Sequence, residues 1–252
     1  MKQQIILWVS AIILTFLIGY IKNVTDKNYP VTGTFGIDGQ KVSYKLDKVH
    51  YGKEPYKLII LTELKELKGK CVWRFNRENV IVPLSKGENN YYVEIPSKKP
   101  LSTIDYKVII NHKSKVYKIP SESNIKMTFY GKIPPSVSFL HFILIYGGIL
   151  LALRTILEIF NQNKLIKKYI LITTSIFILL AAIINPLRNS YKVGAINNYI
   201  PNILEIVEPL LLVLVLIWVA GSIIIFSKRF VVVTAAILFL STLIIYFNLP
   251  LN

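Results

Sequence analysis

A few charged residues stand in stretches of chain that are otherwise apolar, and chemistry would be sought there first. Glu205 and Glu208 are three residues apart, a spacing that places two carboxylates on one face of a helix, and Pro209 follows. Carboxylates so placed bind a cation, share a proton, or pair with a base such as Arg188 or Lys192 upstream. The sharper reading is an outward-facing polar or ion site of Glu205, Glu208 and Arg188, with Asn185, Asn189 and Tyr191 nearby. The plainer one is a pair of acids at a helix start, where the helix dipole favours negative charge. Arg154 and Glu158 are four apart, one helical turn, and can neutralise each other as an intramembrane pair; Arg154 can also snorkel towards the interface. His141 is the one histidine in an apolar run, whereas a bis-histidine haem needs two, so it reads as an interfacial polar contact.

The usual catalytic and nucleotide motifs are missing. The chain contains no Walker loop, H-E-x-x-H, G-x-S-x-G, C-x-x-C or dinucleotide fingerprint, and its single thiol, Cys71, has no partner for a redox couple. The sequence therefore assigns no catalytic, cofactor-binding or metal residues and no cofactor. It favours a protein that is not an enzyme.

The elements that must position these residues follow from the distribution of charge. Lys22 to Pro135 holds 21 of the 30 basic and 11 of the 14 acidic residues, so a charged middle lies between apolar flanks. That excludes a single soluble globule, a disordered chain and a disulfide-stapled module. A bilayer core needs roughly 20 apolar residues in a helix. Five runs qualify: Ile5 to Ile21, Val137 to Phe160, Tyr169 to about Leu187, Leu204 to Phe226, and Phe230 to about Leu249. The first follows Lys2, as in a signal peptide, but no small-x-small site follows it, which favours an uncleaved signal anchor.

Orientation rests on bases in short loops. Lys164, Lys167 and Lys168 lie in one connection and Lys228 and Arg229 in another, so both are expected in the cytoplasm with the N-terminus. The loop from Arg188 to Asn202 carries two bases and is expected outside. The expectation is a multi-pass protein of the inner (cytoplasmic) membrane, with the middle domain and the C-terminus extracytoplasmic. Residues 1–27 would be the anchor and linker, 28–133 the outer domain, and 134–252 a four-helix transmembrane domain.

In the middle the pattern changes to short alternating segments rich in Val, Ile, Tyr and Thr. Strands are expected at Val31–Ile37, Lys41–Leu46, Tyr56–Thr62, Lys70–Phe75, Asn79–Pro83, Tyr91–Ile95, Ile104–Ile110, Val116–Ile119 and Ile125–Tyr130. Asp38-Gly39 has the residues of a two-residue hairpin turn, and Lys86-Gly87-Glu88-Asn89-Asn90 those of a looser one. The fold class is thus α+β: an immunoglobulin- or fibronectin-like β-sandwich without the inter-sheet disulfide, joined to a helical bundle. Trp73 reads as core. The basic excess of the domain suits anionic headgroups or an acidic polymer, but its lysines are spread singly and read more simply as a solvated surface. An extracytoplasmic location argues against nucleic acid. The bilayer itself, and a membrane or periplasmic protein, are the expected partners.

The order of features resembles a family of uncharacterised bacterial integral membrane proteins with a signal anchor, a β-rich outer domain and a four-span bundle. Tyr29-Pro30-Val31 stands at that domain's start, and Gly131-Lys132-Ile133-Pro134-Pro135 is similar to the family's entry into the second span, with His141 after it. Arg154 and Glu158 match an Arg-x-x-x-Glu of that span. Asn185-Pro186, Tyr191, Gly194-Ala195, Pro201, Glu205 and Glu208 follow the family's next polar segment, while Asn197-Asn198-Tyr199-Ile200 and Pro250-Leu251 depart from its aromatic and Pro-His motifs. The resemblance implies the architecture and no activity. From the residues, two functions are expected: display of the outer domain to a partner, or, as the alternative, a small transporter or ion-handling protein using the acidic site at the outer end of the fourth span.

Overall fold

The computed structural model describes residues 2–250 except 65, 114, 122, 162–164, 198–199 and 227–229; the side chains of 197 and 226 are also outside the description. Lys164, Lys228, Arg229, Asn198, Tyr199 and Leu251, used above for orientation and resemblance, therefore lie outside the described residues. The chain divides into two compact units, one of Met1–Asp26 with Ile133–Leu251 and one of Lys27–Lys132.

The second unit is built from two sheets. The first has the order β1 (Val31–Ile37), β2 (Gln40–Leu46), β4 (Tyr56–Thr62), β8 (Asn90–Ile95), β7 (Ser85–Lys86). In the second, β3 (Val49–Tyr51), β11 (Ile125–Tyr130), β9 (Thr103–His112), β5 (Lys68–Phe75) and β6 (Glu78–Pro83) follow one another. β10 (Lys115–Ile119) also pairs with β9. Alternation sets which side chains are inside: in β4, Tyr56, Leu58, Ile60 and Thr62 are buried and the residues between them exposed. Both sheets feed one apolar core that includes Ile60, Tyr91 and Val93 from the first and Trp73, Tyr106, Val108 and Phe129 from the second. Trp73 is 3% exposed, so it is core as expected. Asp38 and Gly39 both have positive φ, 51° and 78°, the backbone of a tight hairpin turn between β1 and β2. Asn76 and Arg77 do the same between β5 and β6.

Burial shifts the titration of three side chains of this core, Cys71, Tyr56 and Tyr106. Burial pushes the Cys71 thiol up to about 12 and the Tyr56 hydroxyl to about 12, and it raises Tyr106 as well. In the unfolded chain these groups lose their protons above roughly pH 9 to 10, while the folded unit keeps them. Stability is therefore complete below the unfolded values and falls as pH rises through them, by roughly 1.4 kcal/mol per pH unit for each group. Urea unfolding between pH 8 and 11 should show this fall, and Cys71 should resist alkylation at pH 8 until denaturant is added. A native thiol that alkylates as fast as a free one would contradict the buried placement.

The first unit is helical: α1 (Lys2–Thr25), α2 (Pro135–Leu157), α3 (Ile166–Leu179), α4 (Asn185–Lys192), α5 (Ile203–Ile206), α6 (Pro209–Phe226) and α7 (Val231–Asn248). Among the described residues, four helices are long and apolar enough to cross a membrane: α1, α2 with the turn that follows it, α3 continued through α4, and α7. α6 is apolar along its whole length. Their contacts are of the kind that hold helices together without a hydrophobic driving force. Gly148 lets α2 approach the Phe177 ring of α3, which an added Cβ would strike. The Trp218 indole donates to Thr242 Oγ1 at 2.9 Å, tying α6 to α7.

Two expectations about this unit need correction. The third apolar run does not end near Leu187. It continues to Lys192, because the five residues Leu180–Ile184 widen into a π turn that accommodates Pro186 inside the helix. Arg188 and Lys192 are thus helical and do not belong to a loop. The fourth run is not one helix from Leu204 either. Pro209 has no N–H to give and disfavours helical backbone before it, so α5 stops at Ile206, Val207 is extended at φ −92° and ψ 129°, and α6 begins at Pro209.

Candidate functional site

Charged and polar side chains gather at both ends of the helical unit, named here by Arg154 and Lys192. At the Arg154 end the i,i+4 spacing brings Arg154 and Glu158 into a salt bridge with both side chains fully buried. The Arg154 side chain is fully enclosed by the helices. Its guanidinium donates to Gln4 Oε1 of α1 at 2.5 Å and lies 5.5 Å from the Trp8 ring and 4.9 Å from the Tyr169 ring. Glu158 Oε1 in turn accepts from Asn161 Nδ2 at 2.6 Å and from the Leu165 backbone N–H at 2.9 Å. Charge, amide and two aromatic rings from α1, α2 and α3 enclose the cation, and the carboxylate closes the connection between α2 and α3. Such an arrangement fixes three helices and keeps both charged side chains fully buried.

At the Lys192 end the groups come from α1, α2, α4, α5 and α7 and from Asp26 and Glu208 beside helix ends. Asn185, Arg188 and Lys192 recur at i, i+3 and i+7 on α4 and share one face. The Asn185 side chain is hydrogen-bonded to His141 on α2, and Arg188 and Lys192 both act on that histidine electrostatically. Lys192 is in turn acted on by Arg188, Glu208 and Asp26. Asp26 pairs with Lys22 at 3.2 Å, both side chains 7% exposed, and Lys22 also donates to the Phe247 carbonyl of α7 at 3.1 Å. Asn189 Nδ2 donates to the Ile206 carbonyl at 2.8 Å and so ties α4 to α5.

The acidic pair is divided by the helix break. Glu205 turns back on its own helix start, accepting from the Asn202 backbone N–H at 3.1 Å in a capping box. Glu208 stands where α6 begins and is among the groups that act on Lys192. Arg188 and Glu208 thus share the surroundings of Lys192, while Glu205 is engaged in capping.

Several participants were not singled out from the sequence: Lys22 and Asp26, and the cage of Gln4, Trp8 and Tyr169. Lys22 and Asp26 carry a readable signal, the i,i+4 spacing at the end of an apolar helix. The cage carries none, because Gln4 and Trp8 of α1 meet Tyr169 of α3 and Arg154 of α2 only through the packing of separate helices. Among the described residues, no three His, Cys, Asp or Glu side chains are grouped to hold a metal ion. Compared with models of protein families and with curated proteins, the chain matches none of either.

Proposed function

We propose that this is an inner-membrane protein of five spans whose immunoglobulin-like β-sandwich, on the extracytoplasmic side, binds an acidic surface of a membrane or periplasmic protein. The observation that carries this reading is the outward face of the six-stranded sheet. Lys68, Lys70 and Arg74 on β5 alternate with buried Cys71 and Trp73 and so point away from the core. Register sets Lys107 of β9 beside Val72, Lys118 of β10 opposite Ile109, and Lys126 of β11 opposite Asp105. Six bases and one acid, Asp105, surround an apolar strip of Ile81, Val72 and Ile109. Lysines that stand singly in the sequence become neighbours on one face. An apolar centre ringed by like charge suits a partner with the opposite charge, which it would also steer at low salt.

Orientation is supported by Lys167 and Lys168 in the first turn of α3, beside the Arg154 end. The bacterial family resemblance belongs to the same reading. The ion-handling alternative has less support, since Glu205 and Glu208 do not share a helix and Glu205 is used as a cap. The test is affinity capture from native membranes in mild detergent, comparing the intact protein with Lys70→Glu/Lys107→Glu/Lys126→Glu and with a chain lacking residues 28–133. The expected result is a defined partner lost equally from both variants and released by moderate salt. Identical partner sets for all three would remove the proposal.

A further inference from the structure

We propose that the open edge of β6 takes an extended acidic segment of the partner as an added strand. The inference rests on the acidic-partner reading above and names the element of that partner which is recognised. The first ground is the direction of the backbone groups. Asn76 and Arg77 form a two-residue turn, so Phe75 and Glu78 close it as a hydrogen-bonded pair, and such pairs alternate along the hairpin. The Leu84 N–H, which donates to the Gly69 carbonyl at 2.9 Å, falls in the same phase. Glu78, Val80 and Val82 therefore turn their N–H and C=O towards β5, and Asn79 and Ile81 turn theirs the other way. β6 stands last in the order of its sheet, so that side is an open edge.

The second ground is that this edge is not blunted as the others are. Natural sheets protect their edges by shortness, by polar or charged side chains, and by proline. β3 has three residues and β7 two. β10 carries Lys115, Val116 and Lys118 at its exposed positions, and β1 carries Thr32, Thr34 and Gly36. On β6 every residue but Val82 is exposed, and Val80 at 37% and Ile81 at 58% are among them. Pro83 lacks an N–H and closes the far end, which leaves Asn79 and Ile81 as the residues that can exchange both backbone bonds with a newcomer.

The third ground is charge, which selects the occupant. Register places Lys70 beside Pro83 and Arg74 beside Asn79, with Arg77 in the turn, while Glu78 is the one acid of β6. An added strand would run about 5 Å from β6 and about 10 Å from β5, within the combined reach of a basic and an acidic side chain. Its alternate residues would share the face of Asn79 and Ile81, towards Lys70 and Arg74, and the others would lie beside Val80 and Val82. Acidic residues alternating with apolar ones answer both sides. A second copy of β6 in that place would bring a second set of bases to the same face, so like charge disfavours self-pairing.

The test uses the full-length protein in a neutral detergent, a short peptide alternating Glu and Val, and a control peptide alternating Lys and Val. Residue-resolved hydrogen exchange is the readout. With the Glu peptide at millimolar concentration the Asn79 and Ile81 amides should slow by about tenfold or more, while Val80 and Val82, already bonded to β5, change little. The Lys peptide should leave all four unchanged. Two further peptides carry N-methyl groups on the Glu amides or on the Val amides; at least one must lose binding, and which one tells the direction of the added strand. Ile81→Pro removes an edge N–H, a change edge strands accept, and should abolish the protection of Asn79, whereas Ile81→Ala keeps the N–H and should retain it. If the proline variant does not fold, the methylated peptides on wild type decide. Unchanged exchange at Asn79 and Ile81, equal protection by the Lys peptide, undiminished binding of both methylated peptides, or full protection of Asn79 in Ile81→Pro overturns the proposal. In affinity capture the partner should be lost from Ile81→Pro as from the triple lysine variant. Loss from the lysine variant alone would remove the added strand and leave the acidic-partner reading standing; loss from neither would remove both.

Discussion

Arg154→Met should destabilise the helical unit by about 3–5 kcal/mol, the cost of breaking a fully buried ion pair by removing one partner. The carboxylate left behind keeps the Asn161 and Leu165 donors but loses its cation, at a position fully shielded from solvent. Gln4 loses its donor at the same time, and the Trp8 and Tyr169 rings lose the cation beside them. Glu158→Gln in the same chain should restore most of the loss. A glutamine oxygen still accepts from Asn161 and Leu165, and no unpaired charge remains. The non-additivity of the two substitutions, of order 2 kcal/mol, is the diagnostic quantity. It is read from thermal unfolding in detergent of the two single variants and the double variant. An Arg154→Met protein within 1 kcal/mol of wild type would show that the pair does not hold the helices together.

The spacing of Arg154 and Glu158 was enough to foresee their pairing because i,i+4 contacts are local. The same reasoning located most strands. Tyr56–Thr62 alternates cleanly, since one of its faces is core and the other is not. Two strands were missed, Val49–Tyr51 and Ser85–Lys86, and both are too short to show a period. Val49–Tyr51 joins its sheet through parallel pairing with β11, a partner nearly eighty residues downstream that no local pattern reveals. Periodicity also failed at Glu205 and Glu208. It assumed an unbroken helix, and Pro209 breaks it by backbone sterics that the carboxylate spacing ignores.

The basic surface illustrates a different limit. Lys70, Lys107, Lys118 and Lys126 belong to four strands, so the sequence shows them as isolated lysines, and only register collects them. At the Lys192 end the information was partly local, since Asn185, Arg188 and Lys192 keep a helical spacing. Reading it required knowing that the helix runs through Pro186, and that depends on the π turn at Leu180–Ile184. Residues whose neighbours are set by i,i+4 or alternation were therefore legible. Those set by register between strands or by packing of separate helices were not.

Trp73→Ala should cost the β unit about 3–5 kcal/mol, the range for removing a large buried aromatic side chain. Trp73 is 3% exposed at the centre of β5, where register sets it beside Val80 of β6 and Tyr106 of β9, and Tyr106 is itself fully buried. A domain of this size has a total stability of about 5–15 kcal/mol, so the loss is a large fraction of it. Each unit has its own apolar core, one around Trp73 and Tyr106 and one around Trp218 and Phe177. The damage should therefore stay within residues 27–132. Limited proteolysis in detergent should cut the Trp73→Ala protein between those residues under conditions where wild type resists, while the helices remain protected and the protein stays monodisperse. Arg154→Met should give the opposite pattern, with a loosened helical unit and a protease-resistant β unit. If Trp73→Ala exposes both units together, the two cores do not carry separate stabilities, and loss of capture by β-unit variants would no longer locate the partner on the sheet.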